Sequence, residues 1–123
     1  MSGNSLFVDS NIMLYLISGD ETIADLLNEK HIFISFITEL ELLGFKELSV
    51  EESKKIHELI EESTVTDINS EIKKLVISLR KNYKLKLPDA IIAASAFYHN
   101  LPLITADKQL SQISELTILL YEK

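Results

Sequence analysis

Short apolar runs alternate with amphipathic stretches along this 123-residue chain. Runs rich in β-branched and aromatic residues predict strands, and these span residues 5–9, 31–36, 65–68, 101–105 and 116–121. Apolar positions at helical spacing, together with residues that can cap a helix, predict helices between these strands. The predicted helices span about 11–18, 37–47, 72–79 and 88–99, two more begin at Asp20 and at Ser49, and a helical turn spans 107–113. The alternation predicts an α/β fold with a mainly parallel sheet of about five strands, covered by helices on both faces.

The spacing also predicts which helix faces are buried. The short helix after Asp20 has three apolar residues on one face: Ile23, Leu26 and Leu27. Ser49 and Glu52 have the spacing of a capping box, which places the start of the next long helix. The segment 88–99 is apolar on nearly every side, so we expect it to be buried against the sheet.

Composition sets the broad class. The hydrophobic content of 46% and charged content of 25% are ordinary for a soluble globular protein, and the length suits a single domain over residues 1–123. Cysteine is absent, which excludes disulfides and thiolate metal sites. No apolar run reaches the roughly 18 residues of a spanning helix, and no secretory pattern opens the chain. We therefore expect a cytoplasmic protein with no membrane partner.

The net charge of −7 argues against a general nucleic-acid coat protein. The basic residues are nevertheless concentrated in the segment 73–86, which contains no acid and leads into Asp89. Six of the 12 Lys and Arg residues lie there: Lys73, Lys74, Arg80, Lys81, Lys84 and Lys86. This basic segment is either a solvated helix face with a polar loop or a contact for a phosphate backbone.

Four acidic residues each lie just past an apolar run, in four separate segments: Asp9, Glu41, Asp89 and Asp107. Carboxylates that follow different strands can converge on one crevice of an α/β sheet. Like charges brought together repel unless a cation binds between them. The pattern therefore points to a divalent metal site.

Three of these acids also have a structural explanation. Asp9 and Asp107 can cap the helices that follow them, and Asp89 lies in a first helical turn, where the helix dipole favours an acid. Glu41 is different, because no cap requires it and it shares the apolar side of its predicted helix with the residues four positions before and after. A carboxylate buried there would be costly unless it were paired or bound to metal.

Other kinds of chemistry have little support. Three histidines, His31, His57 and His99, lie in unrelated segments without ligand spacing, so we do not expect zinc. No Gly-x-Ser-x-Gly setting supports acyl transfer, and no glycine-rich phosphate loop is present.

Taken together, the four acidic segments resemble the motifs of the PIN domain family, and most closely its small VapC-like toxins of prokaryotic toxin–antitoxin pairs. The segments are Val8-Asp9-Ser10-Asn11, Ile34-Ser35 through Glu41-Leu42-Leu43-Gly44, Pro88-Asp89-Ala90-Ile91-Ile92-Ala93 and Leu103-Ile104-Thr105-Ala106-Asp107. The resemblance covers residue 6 to about 120. It implies a PIN-like three-layer α/β/α sandwich and a metal-dependent endoribonuclease.

By motif position, the resemblance makes Asp9, Glu41 and Asp89 the principal acids and Asp107 the fourth. Asn11 corresponds to a polar residue that supports the first aspartate, and Thr105 to the hydroxyl residue before the last acid. Family members often carry a further acid two positions beyond the fourth, where this chain has Gln109.

The implied cofactor is Mg²⁺ or Mn²⁺, since both prefer carboxylate oxygens and water. Asp9 and Asp89 are the expected direct ligands, while Asp107 and Glu41 bind directly or through water. One ion could activate the attacking water while the same or a second ion stabilises the developing charge. Glu41 could also orient or deprotonate that water.

Two other functions compete with the nuclease. A receiver-like signalling domain has a similar size and alternation, but it needs paired acids after its first strand and a phospho-accepting aspartate, for which Asp67 is a poor candidate. A PIN-like protein could also process or bind RNA without a toxin role. The resemblance implies two protein partners, a small antitoxin and a second copy of this chain. Residues 12–27 and 37–60 carry many apolar positions, which either pack in the core or form a homodimer surface and a groove for the antitoxin.

Overall fold

The computed structural model describes residues 4–122. Its five strands, β1 to β5, are Ser5–Val8, His31–Ser35, Thr64–Thr66, Leu103–Thr105 and Ile118–Leu120. Its α-helices, α1 to α6, are Ser10–Ile17, Glu21–Leu27, Phe36–Leu43, Val50–Glu62, Ser70–Asn82 and Leu87–Tyr98. A 3₁₀ helix, Lys108–Gln112, lies between β4 and β5.

The strands form one sheet in the order β3-β2-β1-β4-β5, and all four neighbouring pairs are parallel. The predicted α/β architecture with a five-stranded, mainly parallel sheet is therefore confirmed. Because every strand runs the same way, all the carboxyl ends meet at one edge of the sheet. The order differs from the 2-1-3-4-5 arrangement of receiver domains, so the fold argues against the signalling alternative.

Side-chain alternation along β1 divides the core into two halves. Phe7 packs on one face with α5 and α6, whereas Leu6 and Val8 pack on the other with α1, α2 and α4. Phe7 and Val8 are both fully buried. As predicted, α6 is buried along most of its length, from Ala90 to Ala96.

Local capping accounts for most helix starts. A side chain at the N-cap accepts a backbone N–H at five helices, through Asp9, Asp20, Ser35, Ser49 and Asn69. The predicted capping box at the start of α4 is present in both directions, with 3.0 Å between Ser49 N and Glu52 Oε1 and 3.0 Å between Glu52 N and Ser49 Oγ.

Two details of the predicted helices are wrong. The helix expected over 37–47 ends at Leu43, with Gly44 as its C-cap, and Glu47 within the predicted range adopts a left-handed φ of 59°, which a helix cannot contain. Leu26, expected inward with Ile23 and Leu27, is 45% exposed, because α2 is a short surface helix that buries only a narrow stripe.

Among residues 4–122, no helix combines the length and the apolar character needed to cross a bilayer.

Candidate active site

The four predicted acids come from four different elements at the carboxyl edge of the sheet. Asp9 directly follows β1, and Asp107 lies two residues beyond β4. Asp89 lies in the first turn of α6, and Glu41 in α3, the helix that follows β2. The parallel sheet therefore brings together side chains that are far apart in the sequence.

Asp9 is the most enclosed of the four, with 5% of its surface exposed. Its Oδ1 accepts the N–H of Ser10 at 2.8 Å, and its Oδ2 accepts the hydroxyl of Thr105 at 2.6 Å. Burial raises the pKa of Asp9, and the negative charges of Asp107 and Glu41 act in the same direction, while the two hydrogen bonds oppose the rise. Asp9 thus caps α1, as the sequence allowed, and also faces the other acids.

Asp89 is partly buried, and its pKa is raised to about 6. Burial is the largest cause, followed by the negative charges of Asp107 and Asp9 and, less strongly, that of Glu41. Lys86 opposes the rise. Asp89 is therefore close enough to the three other acids for their charges to raise its pKa.

Thr105 connects the first acid with the last. Its hydroxyl donates to Asp9 and accepts the backbone N–H of Asp107 at 3.0 Å. Asp107 in turn caps the 3₁₀ helix by accepting the N–H of Gln109 at 2.9 Å. Thr105 therefore lies where the sequence predicted a supporting hydroxyl.

Asn11 has a different contact from the one expected. Its Oδ1 accepts the backbone N–H of Ala106 at 3.3 Å rather than contacting Asp9. The side chain therefore supports the segment between β4 and Asp107. The direct support of Asp9 comes from Ser10 and Thr105 instead.

The predicted burial of Glu41 on an apolar helix face is wrong. Glu41 is exposed, and Phe45, one of the two apolar neighbours expected beside it, lies beyond the end of α3 and is 42% exposed. Its other expected neighbour, Ile37, is only half-buried. Glu41 is held by a hydrogen bond, because its Oε1 accepts the hydroxyl of Ser10 at 2.5 Å.

Ser10 and Thr38 are site residues that the sequence did not predict. Their hydroxyl oxygens are 2.8 Å apart, and Thr38 is fully buried. The available signal was a serine directly after Asp9 and a threonine one helical turn before Glu41. Small hydroxyl residues are too common for that spacing to be informative by itself.

The acids interact electrostatically, but they are not yet gathered around one point. Within residues 4–122, no three His, Cys, Asp or Glu side chains are grouped closely enough to hold a metal ion as they stand. The local donor set still suits a hard cation, since Asp9, Glu41, Asp89 and Asp107 all offer carboxylate oxygens.

All six residues of the predicted basic segment are exposed. Lys74 contacts Glu71 with 3.6 Å between Nζ and Oε1, and this is the single ion pair in the described part of the chain. The last residue of the segment, Lys86, is the N-cap of α6, and its positive charge lowers the pKa of Asp89. The segment therefore approaches the acids at one end and keeps most of its charges unpaired.

Two grooves with apolar residues in their linings lie on this protein, one beside α4 and one beside Glu41. One, of about 420 Å³, lies among α1, α2, β2 and α4 and includes Met13, Leu16 and Leu59. The other, of about 410 Å³, borders Glu41 and Ser10 and includes Leu14, Leu40 and Phe45. Of the apolar residues in 12–27 and 37–60, several are fully in the core, including Ile12, Ile23 and Leu42, whereas Leu43 is 47% and Phe45 42% exposed.

A family model and several solved structures relate this chain to the same protein family. The family model of the PIN domain matches residues 6–116, a range that contains all four acids. A toxin–antitoxin complex from Klebsiella pneumoniae contains a chain 32% identical to this one, with a TM-score of 0.83 over 96% of this chain and 99% of that chain. No curated protein matches the sequence significantly.

Two further structures share the fold. VapBC-1 from nontypeable Haemophilus influenzae is 27% identical, with a TM-score of 0.77 over 94% of this chain and 97% of that chain. VapBC2 from Rickettsia felis, bound to a DNA fragment from its promoter, is 19% identical, with a TM-score of 0.84 over 96% and 99% of the two chains. The predicted three-layer sandwich of the PIN type is thereby confirmed.

Proposed function

This chain belongs to the PIN domain family, and on that premise we propose that it is a metal-dependent endoribonuclease that hydrolyses RNA phosphodiester bonds. We also propose that it is the toxin of a VapBC-type pair, acting as one cytoplasmic domain over residues 1–123. PIN domains are nuclease-type domains, and similar chains occur in toxin–antitoxin complexes.

The mutual repulsion of the four carboxylates carries this proposal. Burial and the negative charges of three acids raise the pKa of Asp89, and the charge of Lys86 opposes this rise. The four acids at the end of the parallel sheet outnumber this one opposing lysine. A divalent ion would supply further positive charge.

We propose that Asp9, Asp89 and Asp107 hold Mg²⁺ or Mn²⁺, whose preference for carboxylate oxygen matches this donor set. A bound ion of this kind lowers the pKa of a water molecule and offsets charge on the phosphate. Thr105 favours the ionised form of Asp9 by donating a hydrogen bond to it. We propose that Glu41, which is exposed to solvent, takes a proton from the attacking water.

The basic segment is proposed to contact the RNA backbone: Lys73, Lys74, Arg80, Lys81, Lys84 and Lys86. These side chains are exposed and, except for Lys74, free of ion pairs among the described residues. Unpaired surface cations attract phosphate groups. Because the basic segment ends at Lys86, three residues before Asp89, an RNA strand bound along it would be directed towards the four acids.

The groove among α1, α2 and α4 is proposed as a seat for part of an antitoxin. It is apolar at Leu16 and Leu59 and bordered by charged residues such as Lys30 and Glu62. A tail that places an Arg or Lys among the four acids would compensate their charge and compete with the metal ion. Such a tail would inhibit cleavage.

The exposed apolar residues at the end of α3 are proposed as part of a homodimer surface. Leu40 is 61% exposed, Leu43 47% and Phe45 42%. Large apolar side chains clustered at a surface favour protein contact.

An RNase assay on purified protein tests the nuclease directly. We expect cleavage of RNA with Mg²⁺ or Mn²⁺ and none with EDTA. Asp9→Asn and Asp89→Asn should each lower the rate roughly 100-fold or more, because each removes a carboxylate from the site. Asp67→Asn is the matched control, since Asp67 is exposed beyond β3 and outside the cluster.

Equal activity in the wild type and both site variants would refute the assignment. Circular dichroism should show the same fold for all four proteins, so that a loss of rate reports on chemistry. The toxin role has a separate test: induced wild-type protein should arrest growth, and Asp9→Asn should not.

A further inference from the structure

The hydroxyl of Ser10 lies between two side chains of α3. Its oxygen is 2.5 Å from Glu41 Oε1 and 2.8 Å from Thr38 Oγ1. Thr38 and Glu41 are one helical turn apart and therefore lie on the same face of α3. Ser10 is also the first residue of α1 and follows Asp9, so this one hydroxyl joins the elements that carry two of the acids.

Counting protons gives this network a direction. Ser10 donates its single hydroxyl proton to Glu41 Oε1, so it has no second proton to donate to Thr38. The bond between Ser10 and Thr38 must then be donated by Thr38. The order is Thr38 to Ser10 to Glu41, with each hydroxyl oriented by its neighbour.

Glu41 needs such a restraint. It is exposed and has a long side chain that is costly to fix in one rotamer. Its charge opposes ionisation of both Asp9 and Asp89, so the other acids repel it from the site. The Ser10 hydroxyl offsets that repulsion with a charge-assisted hydrogen bond.

We propose that Ser10 is a positioning residue that holds the Glu41 carboxylate towards Asp9, and that Thr38 orients the Ser10 hydroxyl for this purpose. The inference rests on the proposed function, in which Glu41 acts on the attacking water. It adds that Glu41 reaches its place through a hydroxyl from α1 rather than through burial.

A double-mutant cycle tests the kinetic part. Ser10→Ala should lower kcat by roughly tenfold or more with little change in KM, in line with loss of a hydrogen bond to a charged group. Glu41→Gln should lower kcat further, and Ser10→Ala added to it should cause no additional loss, because Ser10 acts only through Glu41. Ser10→Thr retains the hydroxyl and should restore activity.

Ser18→Ala is the matched control, because Ser18 lies at the other end of α1 and its hydroxyl bonds only to a backbone carbonyl, that of Leu14. Wild-type kcat in Ser10→Ala would overturn the inference. So would losses that simply multiply in the double variant. If Asp9→Asn and Asp89→Asn are inactive while Ser10→Ala is fully active, the positioning role fails and the nuclease stands.

A second measurement does not depend on activity. Three-bond NMR couplings of the metal-free protein report the χ1 populations of Glu41. We expect one dominant rotamer in the wild type and in Ser10→Thr, and averaged couplings in Ser10→Ala. Averaged couplings already present in the wild type would overturn the inference, even if the chain cleaves no RNA.

Discussion

The proton affinity of Asp89 reflects its surroundings. Burial and three neighbouring acids raise its pKa from 3.8 to about 6, against the opposing effect of Lys86. Unfolding removes both burial and the neighbours, which returns the carboxyl to its ordinary pKa. Between these two values the folded state binds more protons than the unfolded state, so stability falls as the pH rises through this window.

We therefore predict that Asp89 lowers the thermal stability of the metal-free protein as the pH increases from about 4 to about 6. Asp89→Asn should reduce this slope and raise the Tm at neutral pH, because it removes a partly buried charge from a negative cluster. Thermal unfolding in EDTA, followed by circular dichroism, measures both effects. Some slope should persist, since burial raises the pKa of Asp9 as well.

Asp67→Asn is the control for this experiment and should keep the wild-type slope, because Asp67 is exposed and outside the cluster. A slope that is the same in the wild type and in Asp89→Asn would contradict the assigned cause.

At the level of single elements, local rules are enough where the partners are close in sequence. The capping box of α4 joins residues three positions apart, and the pattern predicted it. The acids were predictable as a group, because each follows an apolar run and parallel strands end at one edge. Helix ends were less predictable, since α3 stops at Leu43 and a left-handed residue, Glu47, lies within the range predicted to be helical.

The environment of Glu41 could not be predicted from the sequence. Its exposure depends on how α3 packs on the sheet, and its partner Ser10 lies 31 positions earlier. The spacing of apolar residues in α3 shows which side chains could be buried together. It does not show which face the neighbouring elements cover.

The basic segment gives a prediction at this scale. Replacing Lys81 and Lys84 by Gln should raise the KM for RNA several-fold and leave kcat unchanged, because the proposed contacts are to phosphate rather than to the reacting bond. The slope of affinity against salt should fall by about 1 for each lost phosphate contact. Filter binding to RNA at several salt concentrations, together with steady-state kinetics, measures this.

Lys54→Gln with Lys55→Gln is the matched pair. It removes the same charge from α4, on the opposite side of the sheet from α5. Equal effects of the two pairs would mean that net charge, rather than the basic segment, governs RNA binding.

At the scale of the whole molecule, exposed apolar residues at the end of α3 are relevant to the proposed homodimer. Leu43, at the end of α3, is 47% exposed and lies near two other exposed apolar residues of the proposed dimer surface. Leu26, on α2, is exposed to nearly the same extent, at 45%. The two leucines therefore allow a comparison in which chemistry and exposure are matched.

We predict that the wild type sediments as a dimer and that Leu43→Glu sediments as a monomer, because a charge would then have to be buried in the interface. Leu26→Glu should leave the dimer intact. Sedimentation velocity at several concentrations measures the state. A monomeric wild type, or equal dissociation by both substitutions, would contradict the proposed surface.

The bond from Thr105 to Asp9 spans 96 positions and has a consequence for protein synthesis. Asp9 is translated 96 positions before its hydroxyl partner Thr105, and Asp107 follows later still. β4, which carries them to the sheet, must pair with β1 before the four acids can meet. The four acids, and any activity that depends on them, can therefore assemble only after β4 has left the ribosome.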